Sequence, residues 1–270
     1  MVAEFSLRTR RGLWVLPLVA ALAGVFGWSC AVAAGVTDTG FTTCADASGA
    51  TVSCTAATAV QGQDARYGRD AAAGTGALTK VGGGANGFDF SKVKNSGVIP
   101  ESNNASLALG AGAEDWGCTY DNTTGLMWEV KTTSGLRSFI NTYSWYSSNA
   151  ANNGGGVGAS SGGNCGLAGR CDTEKFTQDV NAAGMCGHKD WRMPTLRELN
   201  GLMRFDSRIG GSQFLLDESY FPNRDQLYTW SGSPDANEPY YAWIVGFYYG
   251  FARTLSRVNA NSVRLVRIGQ

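Results

Sequence analysis

Six cysteines constrain this chain more than any other feature: Cys44, Cys54, Cys118, Cys165, Cys171 and Cys186. Their even number, downstream of a segment that reads as an export signal, implies a disulfide framework rather than free thiols. Spacing favours Cys44 with Cys54 and Cys165 with Cys171, each closing a short loop rich in small residues, which leaves Cys118 to Cys186. That last bridge closes a long loop and restricts the unfolded chain most, by about 4 kcal/mol in the chain-entropy account. No C-x-x-C pair and no His/Cys cluster accompanies them, so the sequence offers no zinc site and no other metal centre.

The expectation of an oxidising compartment rests on the first residues. Arg8, Arg10 and Arg11 precede an apolar run from Leu13 to Trp28, followed by small residues at Ala31, Ala33 and Ala34, the pattern of a cleavable signal peptide. Residues 1–34 are therefore read as a removed signal, which takes the seventh cysteine, Cys30, with them. The run is short for a spanning helix and lacks positive stop-transfer flanks, so no transmembrane segment is expected after cleavage. The expected address is the periplasm, the outer surface or the extracellular space. Removing Glu4 and three arginines from a chain of 22 basic and 22 acidic side chains leaves a net charge of −2. No basic stripe with interleaved aromatics is present, and nucleic acid is not an expected partner.

Residues 35–115 are rich in Gly, Ala, Ser and Thr and hold too few large apolar residues for a core of their own. Within them "ARYGRDA" and "GFDFSKV" are expected as short strands or turns lying on the following domain, and the glycines of residues 74–87 imply a mobile surface loop. From Trp116 the composition changes, and six of the eight tryptophans fall between Trp116 and Trp243. Residues 116–270 therefore carry the main domain. "TGLMWEVK" predicts a strand entered through a polar turn. "DTEKFTQDVNAAG" predicts a helix capped by Asp172 and stopped by Gly184, with Phe176, Val180 and Ala183 on one face. Thr195 and Glu198 form a T-x-x-E capping box that starts a second helix after Pro194. "YTWSGS", "YYAWIVGFYYG" and "NSVRLVRIG" predict three further strands. The order implies an α+β fold with two helices packed on small antiparallel sheets, preceded by a loop-rich N-terminal region.

Taken together and in this order, "DNTTGLMWEVKT", "NAAGMCGHKDWRMPTLREL", "YFPN", "YTWSGSP", "AWIVGF" and "VRLVRIGQ" resemble the bacterial Lcl C-terminal domain family over about residues 116–270. The resemblance implies a C-type-lectin-like fold, related to that of formylglycine-generating enzymes, whose R-L-P-T-x-x-E-W motif is similar to the run from Arg192 to Leu199. The family's naming member is a collagen-like adhesin associated with sulfated glycosaminoglycans. This chain has no collagen-like repeat and is slightly acidic once processed, so what the resemblance implies for it is a surface-binding role without the charge suited to sulfate.

The run "GHKDWRMPTLRELNGL" concentrates the unusual side chains. His188, the one histidine, has no nucleophile-elbow motif with it and reads as a loop residue rather than a base. Asp190 and Arg192 flank Trp191, an arrangement that either locks a loop around a core indole or lines a sugar site. Trp128, Trp230, Trp243 and Arg264 complete the candidate ligand-binding set, Arg264 and Arg267 being expected to reach paired carboxylates. Formylglycine chemistry needs a late cysteine pair, and no cysteine follows Cys186. No catalytic residue is assigned. Calcium is conceivable at "DNTTG" and "SPDANEP", but Asp and Asn also serve turns, and no cofactor is indicated. The expected function is that of an exported, non-enzymatic module binding a glycan or an envelope protein, with homo-oligomerisation left open. The alternatives are a structural or accessory subunit of a surface assembly and, third, a hydrolase.

Overall fold

The computed structural model describes residues 38–100, 106–208, 214–223 and 228–269. The expected signal peptide lies outside the described residues. What is described is α+β: short helices, two four-stranded sheets and a two-stranded ribbon.

The ribbon pairs β1 (Cys44–Ala45) with β2 (Thr51–Val52) and is tied by the Cys44–Cys54 disulfide. A short 3-10 turn and helix α1 (Gly68–Gly74) follow. This corrects the reading of "ARYGRDA" as strand or turn: Ala71, Ala72 and Ala73 favour helix, and the neighbouring glycines masked that signal. The "GFDFSKV" expectation holds, as β3 (Phe90–Lys94). The glycine-rich residues before it are tethered, because the Asp89 carboxylate accepts the Val81 and Gly82 N–H groups and Asp217 accepts that of Ala85.

β3 is the edge of the first sheet, ordered β10-β5-β4-β3 and antiparallel throughout, with β4 (Trp116–Asp121), β5 (Leu126–Glu129) and β10 (Val266–Ile268). The second sheet runs β8-β7-β6-β9, with β6 (Thr229–Pro234), β7 (Tyr241–Gly246), β8 (Phe251–Ser256) and β9 (Ser262–Val263). Its β6–β9 pairing is parallel, so the sheet is not purely antiparallel. Three strands were expected from residue 228 onward and five are present. "FYYG" turns the chain and β8 returns along β7, while "NSVRLVRIG" divides into β9 in one sheet and β10 in the other.

The division follows from alternation. Successive residues on a strand face opposite sides, and both sides here are apolar. Met127, Ile244 and Leu265 enter one cluster with Tyr143, Phe176 and Trp230. Trp128, Val245 and Val266 enter another with Phe90, Leu199 and Phe221. A strand buried on both faces reads as a continuous apolar run, which is why "AWIV" and "LV" show no polar alternation. Each such fully buried side chain contributes roughly 1.5–3 kcal/mol.

Helix α2 (Thr173–Ala183) follows its capping signals, since Asp172 accepts the Lys175 N–H and Gly184 is left-handed at the C-cap; Phe176 and Val180 are buried, but Ala183, expected on the same face, is exposed at the end of the last turn. Helix α3 (Leu196–Asn200) has the full capping box of Thr195 and Glu198 but is only five residues long. Cys118 is bridged to Cys186 and Cys165 to Cys171, as the spacing implies. Among the described residues no helix is long and apolar enough to cross a membrane.

Candidate functional site

A cleft of about 500 Å³ opens between α2, the loop that follows Tyr146, and the segment from Arg192 to Thr195. Its helical wall comes from spacing. Phe176 and Val180 turn inward, and Glu174, Thr177, Gln178 and Asn181 recur at the complementary helical positions and line the cleft. The opposite wall is polar and aromatic, with Trp145, Tyr146, Asn149 and Asn152.

Hydrogen bonds fix this wall. Thr173 Oγ1 accepts the Tyr146 N–H at 2.9 Å and donates to the Tyr146 carbonyl at 2.8 Å. Glu174 accepts the Ser148 N–H and hydroxyl, tying the loop to the first turn of α2. The loop is held from beneath by the Arg257 guanidinium, which lies 4.1 Å over the Trp145 ring and donates to the carbonyls of Asn153, Gly156 and Tyr241. The long Gly/Asn/Ser stretch is therefore anchored in its middle as well as at the Cys165–Cys171 bridge. At the base of the cleft Gly232 packs so closely on Met193 that an added Cβ would lie 2.8 Å from the Met193 Cβ.

Arg192 closes one end. It forms a two-pronged pair with Glu198 at 2.8 and 2.7 Å and donates to the Met193 carbonyl. Burial pushes the Glu198 carboxyl up, but the Arg192 fork and the Thr195 N–H outweigh it and leave it below its ordinary value. The same fork holds the Arg192 guanidinium above its ordinary value. Asn181 clamps the neighbouring residue, accepting the Trp191 N–H at 2.8 Å and donating to its carbonyl at 2.9 Å.

Of the seven ligand-binding candidates read from the sequence, Arg192 alone lines this cleft. Trp191 and Trp230 are buried, and their indole N–H groups donate to the carbonyls of Met185 and Tyr143. Arg264 is buried and donates to the Glu129 carbonyl at 2.7 Å. Trp128 is buried against a second cavity. Trp243 is half-buried on β7. Asp190 is exposed and pairs with Arg267 at 2.7 and 3.2 Å, closing the loop over Trp191. His188 lies beside that pair, its imidazole pushed below the ordinary 6.5 by partial burial and by Arg267, with Asp190 opposing. The Asp121 carboxylate is occupied by its own turn, accepting from the Thr123 and Thr124 N–H groups and from the Thr124 hydroxyl, and Asp235 accepts the Asn237 N–H in the same manner.

Sequence reading missed Tyr146, Thr177, Gln178, Asn149 and Asn152. The signal for Glu174, Thr177, Gln178 and Asn181 was present as a polar stripe at i, i+3, i+4 and i+7 opposite Phe176 and Val180. Tyr146 had none, since only the tertiary path of the loop brings it across from α2.

No curated protein and no solved structure matches the chain. The profile of the Lcl C-terminal domain matches residues 117–267, more than half of the 270 residues. The chain that folds this cleft belongs to the Lcl C-terminal domain family.

Proposed function

We propose that this protein is an exported, non-enzymatic binding module that takes a glycan or another envelope component into the cleft beside α2. The observation that supports this most is the composition of the cleft: the half-buried Tyr146 ring, backed by the buried Trp145, stands across from a helical row of hydroxyl and amide groups, with the Arg192 guanidinium at one end. Sugar rings stack on aromatic faces through their C–H groups, and their hydroxyls pair with amides and guanidinium groups. Three disulfides accord with an oxidising compartment. A C-type-lectin-like arrangement is part of the same proposal, supported by the family, the short helices and the loop-rich, cross-linked fold.

A second reading, an accessory subunit of a surface assembly, is favoured by one feature. Around the β7–β8 turn the rings of Tyr228, Tyr248, Tyr249 and Phe251 form a connected group, with Arg253 4.8 Å from the Tyr228 centroid and Tyr249 half in solvent.

The first reading is tested by screening the purified protein on a broad glycan array and against envelope extracts, alongside Tyr146→Ala and Gln178→Ala. Binding that drops at least tenfold in both variants, with unchanged thermal midpoints, is expected. Absence of binding to both, or binding indifferent to the two substitutions, overturns it.

A further inference from the structure

The second cavity, of about 490 Å³, lies on the other side of α3. Its walls are Leu126 and Trp128 of β5, Arg197 and Asn200 of α3, the following Gly201, Leu202 and Met203, and Asp38, Asp121 and Phe205. Thr39, Thr124 and Glu198 also border it, so the lining joins an apolar group of Leu126, Trp128, Leu202, Met203 and Phe205 to polar and charged side chains, and the volume is in the size range of small-molecule sites.

One atom in it is anomalous within this protein. Among the described residues five tryptophans are buried: Trp116, Trp128, Trp145, Trp191 and Trp230. Four donate their indole N–H to a backbone carbonyl, those of Cys118, Ser231, Met185 and Tyr143 in turn, at 2.8–3.0 Å. Trp128 is 1% exposed, lines the cavity, and has no acceptor among the described residues. Asn200, on the same lining, has a buried side-chain oxygen with no donor. Buried polar groups are mostly paired, and every other buried indole among the described residues observes the rule. The Trp128 N–H is therefore open to a partner from beyond the described residues.

The lining also selects charge. An ammonium group has only donors and cannot accept from an indole N–H. A carboxylate could accept, but it would meet Asp38 and Asp121 against the single Arg197, Glu198 being neutralised by Arg192. A neutral hydroxyl accepts from Trp128 and donates to an amide oxygen such as that of Asn200. We propose that this cavity is a second binding site, for a neutral alcohol or phenol with an apolar body, separate from the cleft beside α2.

The test uses 1-hexanol, hexanoate and hexylammonium as probes and follows the indole N–H signals of the purified 15N-labelled protein. The Trp128 signal is identified by its loss in Trp128→Phe. Saturable movement of that signal with 1-hexanol, at least tenfold weaker with either ion, is expected. Asn200→Leu should weaken 1-hexanol binding about tenfold, the effect of one lost hydrogen bond, with the thermal midpoint held. Tyr146→Ala should leave 1-hexanol binding unchanged, which separates this site from the glycan cleft. The proposal is overturned by an unmoved Trp128 signal up to the solubility limit of 1-hexanol, the outcome for a merely hydrated cavity. It is equally overturned by three probes of equal strength.

Discussion

The Lys131 ammonium and the Glu129 carboxylate lie 2.9 Å apart with side chains 1% and 0% exposed. Removing two such charges from water costs several kcal/mol per ion, recovered only when each is paired and hydrogen-bonded. Here Glu129 also accepts the Leu265 N–H at 2.9 Å, and Lys131 stands over the Phe176 ring. Glu129→Leu should destabilise the fold by about 3–5 kcal/mol, because it strands a buried ammonium, and the double change with Lys131→Met should cost far less than the sum. Urea unfolding of the three variants measures both. His188 gives a pH signature of opposite placement, at the surface. Its folded pKa is depressed, so the unfolded chain binds its proton more readily, and its contribution to stability is present above 6.5 and lost as pH falls through the folded value. His188→Gln should flatten the stability profile in that window, read from thermal midpoints across pH 5–8, a window set about the ordinary histidine pKa of roughly 6.5. The Glu129–Lys131 pair was not legible as such. "LMWEVK" displays a glutamate and a lysine two residues apart, but that both point into a core is known only once strands lie on either side of β5.

At the scale of elements, the parts governed by local chemistry were readable and those governed by tertiary contact were not. Asp172 and Gly184 bound α2 because a cap accepts an orphan N–H and a left-handed glycine ends the turn. The start of α3 followed from Thr195 and Glu198, yet its brevity follows from Gly201 and the turn beyond. With so few helical hydrogen bonds, the cap carries much of this element. Thr195→Ala is expected to cost about 1 kcal/mol, and to loosen the Arg192 end of the cleft, seen as weaker ligand binding. β8 escaped notice because "FARTLS" is a half-exposed edge strand with little alternation. Gly232 was legible only as part of the "YTWSGS" strand, whereas its role is to let β6 approach Met193. Gly232→Ala should therefore reduce the thermal midpoint and distort the cleft floor, with a crystal structure or amide spectrum of the variant reporting displacement at Met193.

For the whole molecule, the Cys118–Cys186 bridge joins β4 to the turn after α2 across 68 residues of sequence. Replacing both cysteines with alanine should cost about 4 kcal/mol, measured by denaturant unfolding. The same replacement at Cys165 and Cys171, which close a loop separated by 6 residues, should cost less because a shorter loop has less entropy to lose. All three pairings were accessible from spacing, because short loops select their own partners and leave one pair over. The path of residues 262–268 was not, since one apolar run serves two sheets. That division governs the order of events in folding. Arg264 meets Glu129 across 135 positions of sequence, and β9 and β10 are the last of the described strands along the chain. Neither sheet attains its full complement until this segment arrives, and contacts so distant must be closed before they return any stabilisation. A chain emerging amino end first thus remains an unfastened pair of partial sheets, its apolar strand edges open, until one late clasp shuts both at once.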